Sequence, residues 1–329
     1  MLYLALNIIA TVIFFQALRF GQVKKLSEMT VSAINYAVGA LLSILLLIIA
    51  HVFITPQHLT TVALIGGIAM GTIFYVYLFV LFRAYNFFGV GITSALIQMG
   101  VTLAAIYAWA FYGQHISAIQ WIGLAIIPPA LLLMRPKETP DQLTQSVPEQ
   151  AQPQSSDSPA ATATLTEPQT ATSSKPNALF VLFILLATAL TQTLFAIIHD
   201  AVPRFDDNVN AGFLAYTSVI FITGTICNGA HVLVFERKRH KLATYTTGSV
   251  AGIANVAICI FLVLSLDVLS STIVLPTVSV AIIAFNILIA RLYWKEPISK
   301  VQYFGLAATF LVILLMNIES FLPIAAATP

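Results

Sequence analysis

YGQHISAIQWIGLA, residues 112–125, returns 182 positions later as WKEPISKVQYFGLA, residues 294–307, with Lys and Glu in the second copy where the first is uncharged. Each copy sits between two long apolar runs, and each turns through an Ile-Ser pair into a stretch containing Gln and Gly. A chain that writes one helix–turn–helix passage twice invites a search for a duplication around it.

The setting of the two copies is a membrane. Of the 329 residues 59% are hydrophobic and 9% charged, with a mean hydropathy of +0.91. Soluble domains carry about 25% charged residues, so this chain has too little polar surface to stay dissolved. The net charge of +2 comes with no basic patch interleaved with aromatics, and nucleic acid is not expected as a partner. Cys227 and Cys259 lie in apolar runs and match no metal or redox spacing. The first residues, MLYLALNIIATVIFFQALRF, lack a basic leader and a small-residue cleavage site, and read as a retained first span.

A membrane-crossing helix needs about 20 mostly apolar residues. Ten stretches qualify: 2–19, 31–54, 61–82, 90–111, 118–134, 178–198, 211–235, 247–266, 271–292 and 301–318. Barrel strands would alternate apolar and polar residues, whereas LLSILLLIIA is apolar all round. The expected fold is therefore an all-α polytopic membrane protein. Residues 135–177 are rich in Pro, Gln, Ser, Thr and Ala and hold no aromatic residue. Such a segment cannot bury enough apolar surface to offset its ordering entropy and is read as a disordered linker.

The linker divides the spans five and five, into 1–134 and 178–329. Matches run in order through both halves: Ala10-Thr11 with Ala187-Thr188 at an offset of 177, Tyr36 and Ala50-His51-Val52 with Tyr216 and Ala230-His231-Val232 at 180, and Gly67-Ile68-Ala69 with Gly252-Ile253-Ala254 at 185. The opening pair follows at 182. Ten helices in two five-helix repeats are expected. Because five is odd, the second repeat must enter the membrane inverted. Lys and Arg, which favour cytoplasmic loops, agree: 14 fall after spans one, three, five, seven and nine, against Arg204 alone on the other side. That bias puts both termini outside and the linker in the cytoplasm.

AWAFYGQHISAIQWIGLAIIPPALLLM and ARLYWKEPISKVQYFGLAATFLVILLM, with Leu275-Pro276, resemble the repeat ends of ten-helix EamA-type members of the drug/metabolite transporter superfamily. The resemblance covers nearly the whole chain apart from the linker. The first copy departs from the pattern, with Gln114 where the second has Glu296. The resemblance implies a secondary transporter that moves a small organic metabolite across a bacterial-type plasma membrane by alternating access, with a cavity among the first, third and fourth helices of each repeat. Two similar halves of opposite orientation can exchange conformations and open a midplane site to each side in turn.

Polar side chains deep in apolar helices are costly and point to the bundle interior or a wet cavity. Asn7 and Thr11 lie one turn apart on the first span, and Thr188 and Gln192 one turn apart on the sixth. Ser94, Gln98 and Thr102 form a stripe on the fourth, and Asn255 and Ser279 stand on the eighth and ninth. Pro276 falls where the family's ninth helix lines the cavity. These are the candidate solute-binding residues, and the bland reading of each is a helix–helix hydrogen bond. Tyr75, Tyr77 and Tyr107 are candidates to close the cavity, and His51 and His231 read as interfacial anchors or caps. Gly67-x-x-x-Gly71 and Gly248-x-x-x-Gly252 provide small faces for close packing. Pro128-Pro129 and Pro276 should kink or break their helices.

No carboxylate lies in mid-span, so amides and hydroxyls favour a neutral or zwitterionic solute. Gly89-x-Gly91-x-x-Ser94 follows no strand and reads as a coincidence of composition; Walker A, H-E-x-x-H and G-x-S-x-G motifs are absent. No enzyme activity, cofactor or metal is expected. Partners are the solute and the lipid bilayer, with monomer and homodimer both compatible. The alternative is a non-transporting scaffold or sensor that acts through the cytoplasmic linker.

Overall fold

The computed structural model describes residues 1–49, 61–112, 117–134, 178–201, 211–236, 240–268, 271–296 and 298–321. The linker expected at 135–177 and the candidate His51 lie outside these. Among the described residues nine helices follow in chain order: α1 (Leu2–Val23), α2 (Glu28–Ile49), α3 (Thr61–Tyr112), α4 (Ala118–Leu133), α5 (Ala178–Ala201), α6 (Ala211–Phe235), α7 (Leu242–Val268), α8 (Ser271–Leu292) and α9 (Lys300–Phe321). Five of them are long and apolar enough to cross a membrane. The architecture is all-helical and compatible with a multi-pass membrane protein, since in lipid each backbone polar group must be satisfied internally and a helix does this within one segment.

The expected third and fourth spans are one element, α3. Gly89 interrupts it with φ 71° and ψ 178°, outside the helical region, so α3 has two arms, one on either side of Gly89. The segment 83–88, RAYNFF, holds no helix breaker and stays helical up to that glycine. Pro128 and Pro129, by contrast, lie inside α4, and Pro276 inside α8, without ending either. Of the expected kinks or breaks, a break is corrected by this: the fixed φ of proline suits a helix, and in a bundle the freed carbonyls can be satisfied locally.

Two helix starts explain the repeated passage. The Ser299 side chain accepts from the Gln302 N–H (3.3 Å) while the Gln302 side chain accepts from the Ser299 N–H (2.8 Å). Ser117 and Gln120 do the same at 3.3 and 3.0 Å. Both are capping boxes, in which Ser at the N-cap and Gln three residues on satisfy two orphan donors of the first turn. ISAIQ and ISKVQ are thus the start signals of α4 and α9. At α2, Ser27 caps alone, accepting from the Thr30 N–H at 3.1 Å.

Helices pack chiefly across the two halves of the chain. α1 lies on α7, α2 on α6 and α7, α3 on α5, α6 and α8, and α4 on α9. The approach of α3 to α6 is made by Gly67 and Gly71. A Cβ at Gly67 would sit 2.6 Å from Val219 and 3.3 Å from the Tyr216 carbonyl; at Gly71 it would sit 2.7 Å from both the Ile220 carbonyl and Thr223. α7 meets α2 in the same way. A Cβ at Gly248 would lie 2.7 Å from Ile34 and 2.9 Å from the Val31 carbonyl, and at Gly252 2.6 Å from the Asn35 carbonyl and 2.9 Å from Val38. The two contacts repeat residue for residue, with the glycines 181 positions apart and their partners 185 apart. Between α2 and α6 the arrangement is reciprocal: Tyr36 covers Gly224 and Phe221 covers Gly39, with ring centroids 6.1 Å apart.

Candidate functional site

The polar residues singled out in the spans fall into two groups, with Asn255 apart. On α1 the Thr11 hydroxyl donates to the Asn7 carbonyl at 2.8 Å, and on α5 Thr188 donates to the Ile184 carbonyl at the same distance. Each is then joined to a neighbouring helix: the Asn7 amide donates to the Ile258 carbonyl of α7 (2.9 Å), and Thr188 shares a hydrogen bond with the Tyr77 hydroxyl of α3 (2.9 Å). All three of Asn7, Thr11 and Thr188 are buried.

The second group joins the far arm of α3 to α8. Ser279 donates to the Gln98 side-chain oxygen at 2.8 Å, with both residues buried. Ser94, one turn before Gln98, donates to its own helix at the Gly91 carbonyl (2.8 Å). Asn255 stands apart from both groups. Its amide faces Asn35 of α2 at 3.4 Å, beside the Gly252 contact, so it belongs to the α2–α7 packing face. Thr102, Gln192 and Pro276 lie in described helices, but their side chains, like those of Tyr107, lie outside the described residues.

His231 does not cap its helix. Its Nδ1 pairs with the Tyr75 hydroxyl of α3 at 2.9 Å, and its ring stands against Phe79 and Phe235 at 5.5 and 4.9 Å. Tyr75 and Tyr77 therefore face different partners, one toward α6 and the other toward α5.

A third cluster lies at the end of the bundle where α1 and α8 stop, and the sequence reading passed over it. Arg19 Nη2 meets Glu296 Oε1 at 2.9 Å, with the two side chains 18% and 11% exposed. Arg19 Nη1 also donates to the Tyr85 carbonyl of α3 at 3.3 Å. The same Glu296 oxygen accepts from the Val90 N–H at 3.2 Å, at the start of the α3 arm that follows Gly89. A Cβ at Gly89 would run into that carboxylate. Glycine is thus required there twice, for its positive φ and for space. Glu296 is brought round by Lys295, whose φ of 54° turns the chain so that the Glu296 N–H reaches the Ala290 carbonyl (2.9 Å). One turn earlier on α1, Gln16 donates to Asn286 of α8 (2.8 Å) and accepts from the Trp294 indole (2.6 Å). One turn later, Gln22 donates to the Phe82 carbonyl (2.5 Å).

Nearby, Glu236 after α6 accepts from Ser27 and from Thr30 (2.9 Å), and His240 pairs with Thr30 at 3.0 Å. The end of the bundle that holds these contacts is therefore closed by polar links between the two halves.

A signal for this cluster was present. Gln16, Arg19 and Gln22 are spaced by three, one polar stripe on an apolar helix. It was lost because the first span was expected to stop at residue 19, which assigned Arg19 to a loop, whereas α1 runs to Val23. Among the described residues no group of His, Cys, Asp and Glu could hold a metal ion.

No protein-family model and no curated protein matches the chain. Among solved structures 16 chains resemble it. One, described only as the crystal structure of a protein, superposes with a TM-score of 0.60 over 97% of this chain and 99% of its own, at 9% sequence identity. At that identity the likeness bears on the fold alone.

Proposed function

We propose that the chain is a secondary transporter of a small organic solute, of the ten-helix drug/metabolite type, working by alternating access. The observation that carries this reading is the repeated glycine contact. Gly67 and Gly71 meet α6 through the same four positions by which Gly248 and Gly252 meet α2. Such matching supports two copies of one five-helix unit, with the two arms of α3 as its third and fourth helices. The mirrored capping boxes of Ser117 and Ser299 support the same division. Inverted copies give a bundle two exchangeable conformations around one midplane site. On this reading Thr11, Thr188, Gln98 and Ser279 are the polar groups nearest that site, and the basic end faces the cytoplasm of a bacterial-type cell.

The test is flux. Purified protein in liposomes is given labelled amino acids, nucleosides, sugars and quaternary amines, with Gln98→Ala alongside. Saturable counterflow of one chemical class, reduced in the variant, is the expected result. Absence of flux for the whole panel, together with no ligand-induced thermal stabilisation, would count against a carrier.

A further inference from the structure

The cluster around Arg19 holds buried polar atoms that could donate and have no acceptor. Arg19 Nε, Asn286 Nδ2 and the Tyr85 hydroxyl are buried and have no hydrogen-bond partner, and Tyr85 and Asn286 are both 0% exposed. Their residues are connected through the chain's own links. Arg19 holds the Tyr85 carbonyl, Gln16 one turn away holds Asn286 through its oxygen, and the Tyr85 hydroxyl lies within electrostatic reach of Arg19 and Glu296. Buried donors left without acceptors are costly, and each asks for an explanation.

The acceptor that is present comes from the chain itself. Glu296 sits on Arg19 and on the N–H of Val90, in the space that Gly89 leaves beside the start of a helix arm, where backbone N–H groups and the helix dipole favour an anion. Its Oε1 takes both contacts. This arrangement is one-sided. At the offset that relates Thr11 to Thr188, Ala196 stands in place of Arg19, and Gln114 stands in place of Glu296. The ion pair therefore has no equivalent in the first repeat's turn.

We infer that Arg19, the Val90 N–H and the adjoining donors form a binding site for the carboxylate of the transported solute, and that Glu296 is its tethered occupant, which keeps this end shut until a solute carboxylate replaces it. The inference rests on the carrier reading and narrows its solute to one bearing a carboxylate, zwitterions included. A carboxylate offers two acceptor oxygens and full charge to a guanidinium, which suits the planar two-donor geometry of Arg. An amide of the same size offers one weaker acceptor and adds donors where buried donors already lack acceptors.

The experiment uses the full chain in detergent. Binding of acetate, glycine and L-leucine is measured by thermal unfolding beside acetamide, glycinamide and L-leucinamide, for the wild type, Glu296→Gln and the double variant Arg19→Gln/Glu296→Gln. The double variant removes both charges together, so that neither is left buried without its partner. Acids should stabilise the wild type and amides should not. Glu296→Gln should bind the acids about tenfold tighter, the scale of one charge-assisted contact no longer competed for, and the double variant should be folded and indifferent to acids.

Equal binding of amides, unchanged affinity in Glu296→Gln, or acid binding retained by the double variant would overturn the site. The gating half has its own readout: spin labels at Val23 and Leu292, both exposed at this end, in a chain lacking Cys227 and Cys259. Saturating L-leucine should lengthen their separation; an unchanged distance with the acid bound would overturn the gate. Flux in liposomes separates the two readings. Acid binding without flux refutes the carrier and leaves the site; flux without acid-selective binding refutes the site and leaves the carrier.

Discussion

Replacing Gly71 by Ala should destabilise the protein although alanine is the better helix former. In a helix interior the change gains about 0.8–1.0 kcal/mol. Here the new methyl would lie 2.7 Å from the Ile220 carbonyl oxygen as well as 2.7 Å from Thr223. Overpacking costs about 1–3 kcal/mol, and a backbone oxygen cannot swing aside as a side chain can, which places this case toward the upper end. The net loss is then about 2 kcal/mol. Gly252→Ala should lose a similar amount, because its Cβ would lie 2.6 Å from the Asn35 carbonyl. At Gly229, on α6, an added methyl would meet nothing within 4 Å, so Gly229→Ala should keep the propensity gain of up to about 1 kcal/mol. The assay is unfolding of the three variants in one detergent, followed by tryptophan fluorescence and by retention of a monodisperse elution peak. A spread of about 3 kcal/mol between Gly229→Ala and the other two is expected, close to a hundredfold in the folded-to-unfolded ratio. If all three unfold with the wild type, the helices are not held at glycine distance and the repeated contact loses its meaning.

Ser299→Ala and Ser117→Ala should each lose about 1 kcal/mol, the usual worth of an N-cap, and Ser299→Asp should recover most of it; unfolding of the three variants checks this. Ser279→Ala leaves the Gln98 oxygen without that donor and should cost about 1–3 kcal/mol if the site stays dry, whereas Ser279→Thr should retain the bond. Comparing the two by unfolding with and without solute separates packing from binding. Gly89→Ala puts a Cβ onto the Glu296 carboxylate at a positive φ, a backbone strain of roughly 1–3 kcal/mol; it should therefore loosen the Val23–Leu292 distance even without solute.

Helix content was legible because long apolar runs are statements about composition, which sequence carries directly. Register within the halves was not. Tyr36 and Tyr216 match at an offset of 180, and Gly67-Ile68-Ala69 with Gly252-Ile253-Ala254 at 185, yet the packing relates α2 to α6 at 185 and the first arm of α3 to α7 at 181. Identities in apolar helices recur by chance, while contacts depend on which small residue faces which backbone, about one turn away. The candidate site was legible in part for a similar reason. Gln98 and Ser279 stand out as polar atoms in apolar surroundings and do pair. Asn255 stood out equally and faces α2, since polarity marks a buried residue without saying which neighbour it meets. Gly89 was discounted because its motif lacked a strand, and the feature that mattered was its backbone angle, which only the folded chain displays.

The interlocking of the halves bears on how the molecule is made. α1 and α2 find their main partners in α7 and α6, which leave the ribosome after more than half of the chain has been synthesised. Until then the Gly67–Gly71 face of α3 has only lipid against it, and small residues gain little from lipid compared with a partner helix. Residues 1–134 should accordingly be a waiting intermediate, exposed to membrane proteases and quality control until residues 178–329 arrive. Supplying residues 1–134 and 178–329 as separate polypeptides should rescue the first from degradation, a complementation that a self-sufficient amino-terminal bundle would not need.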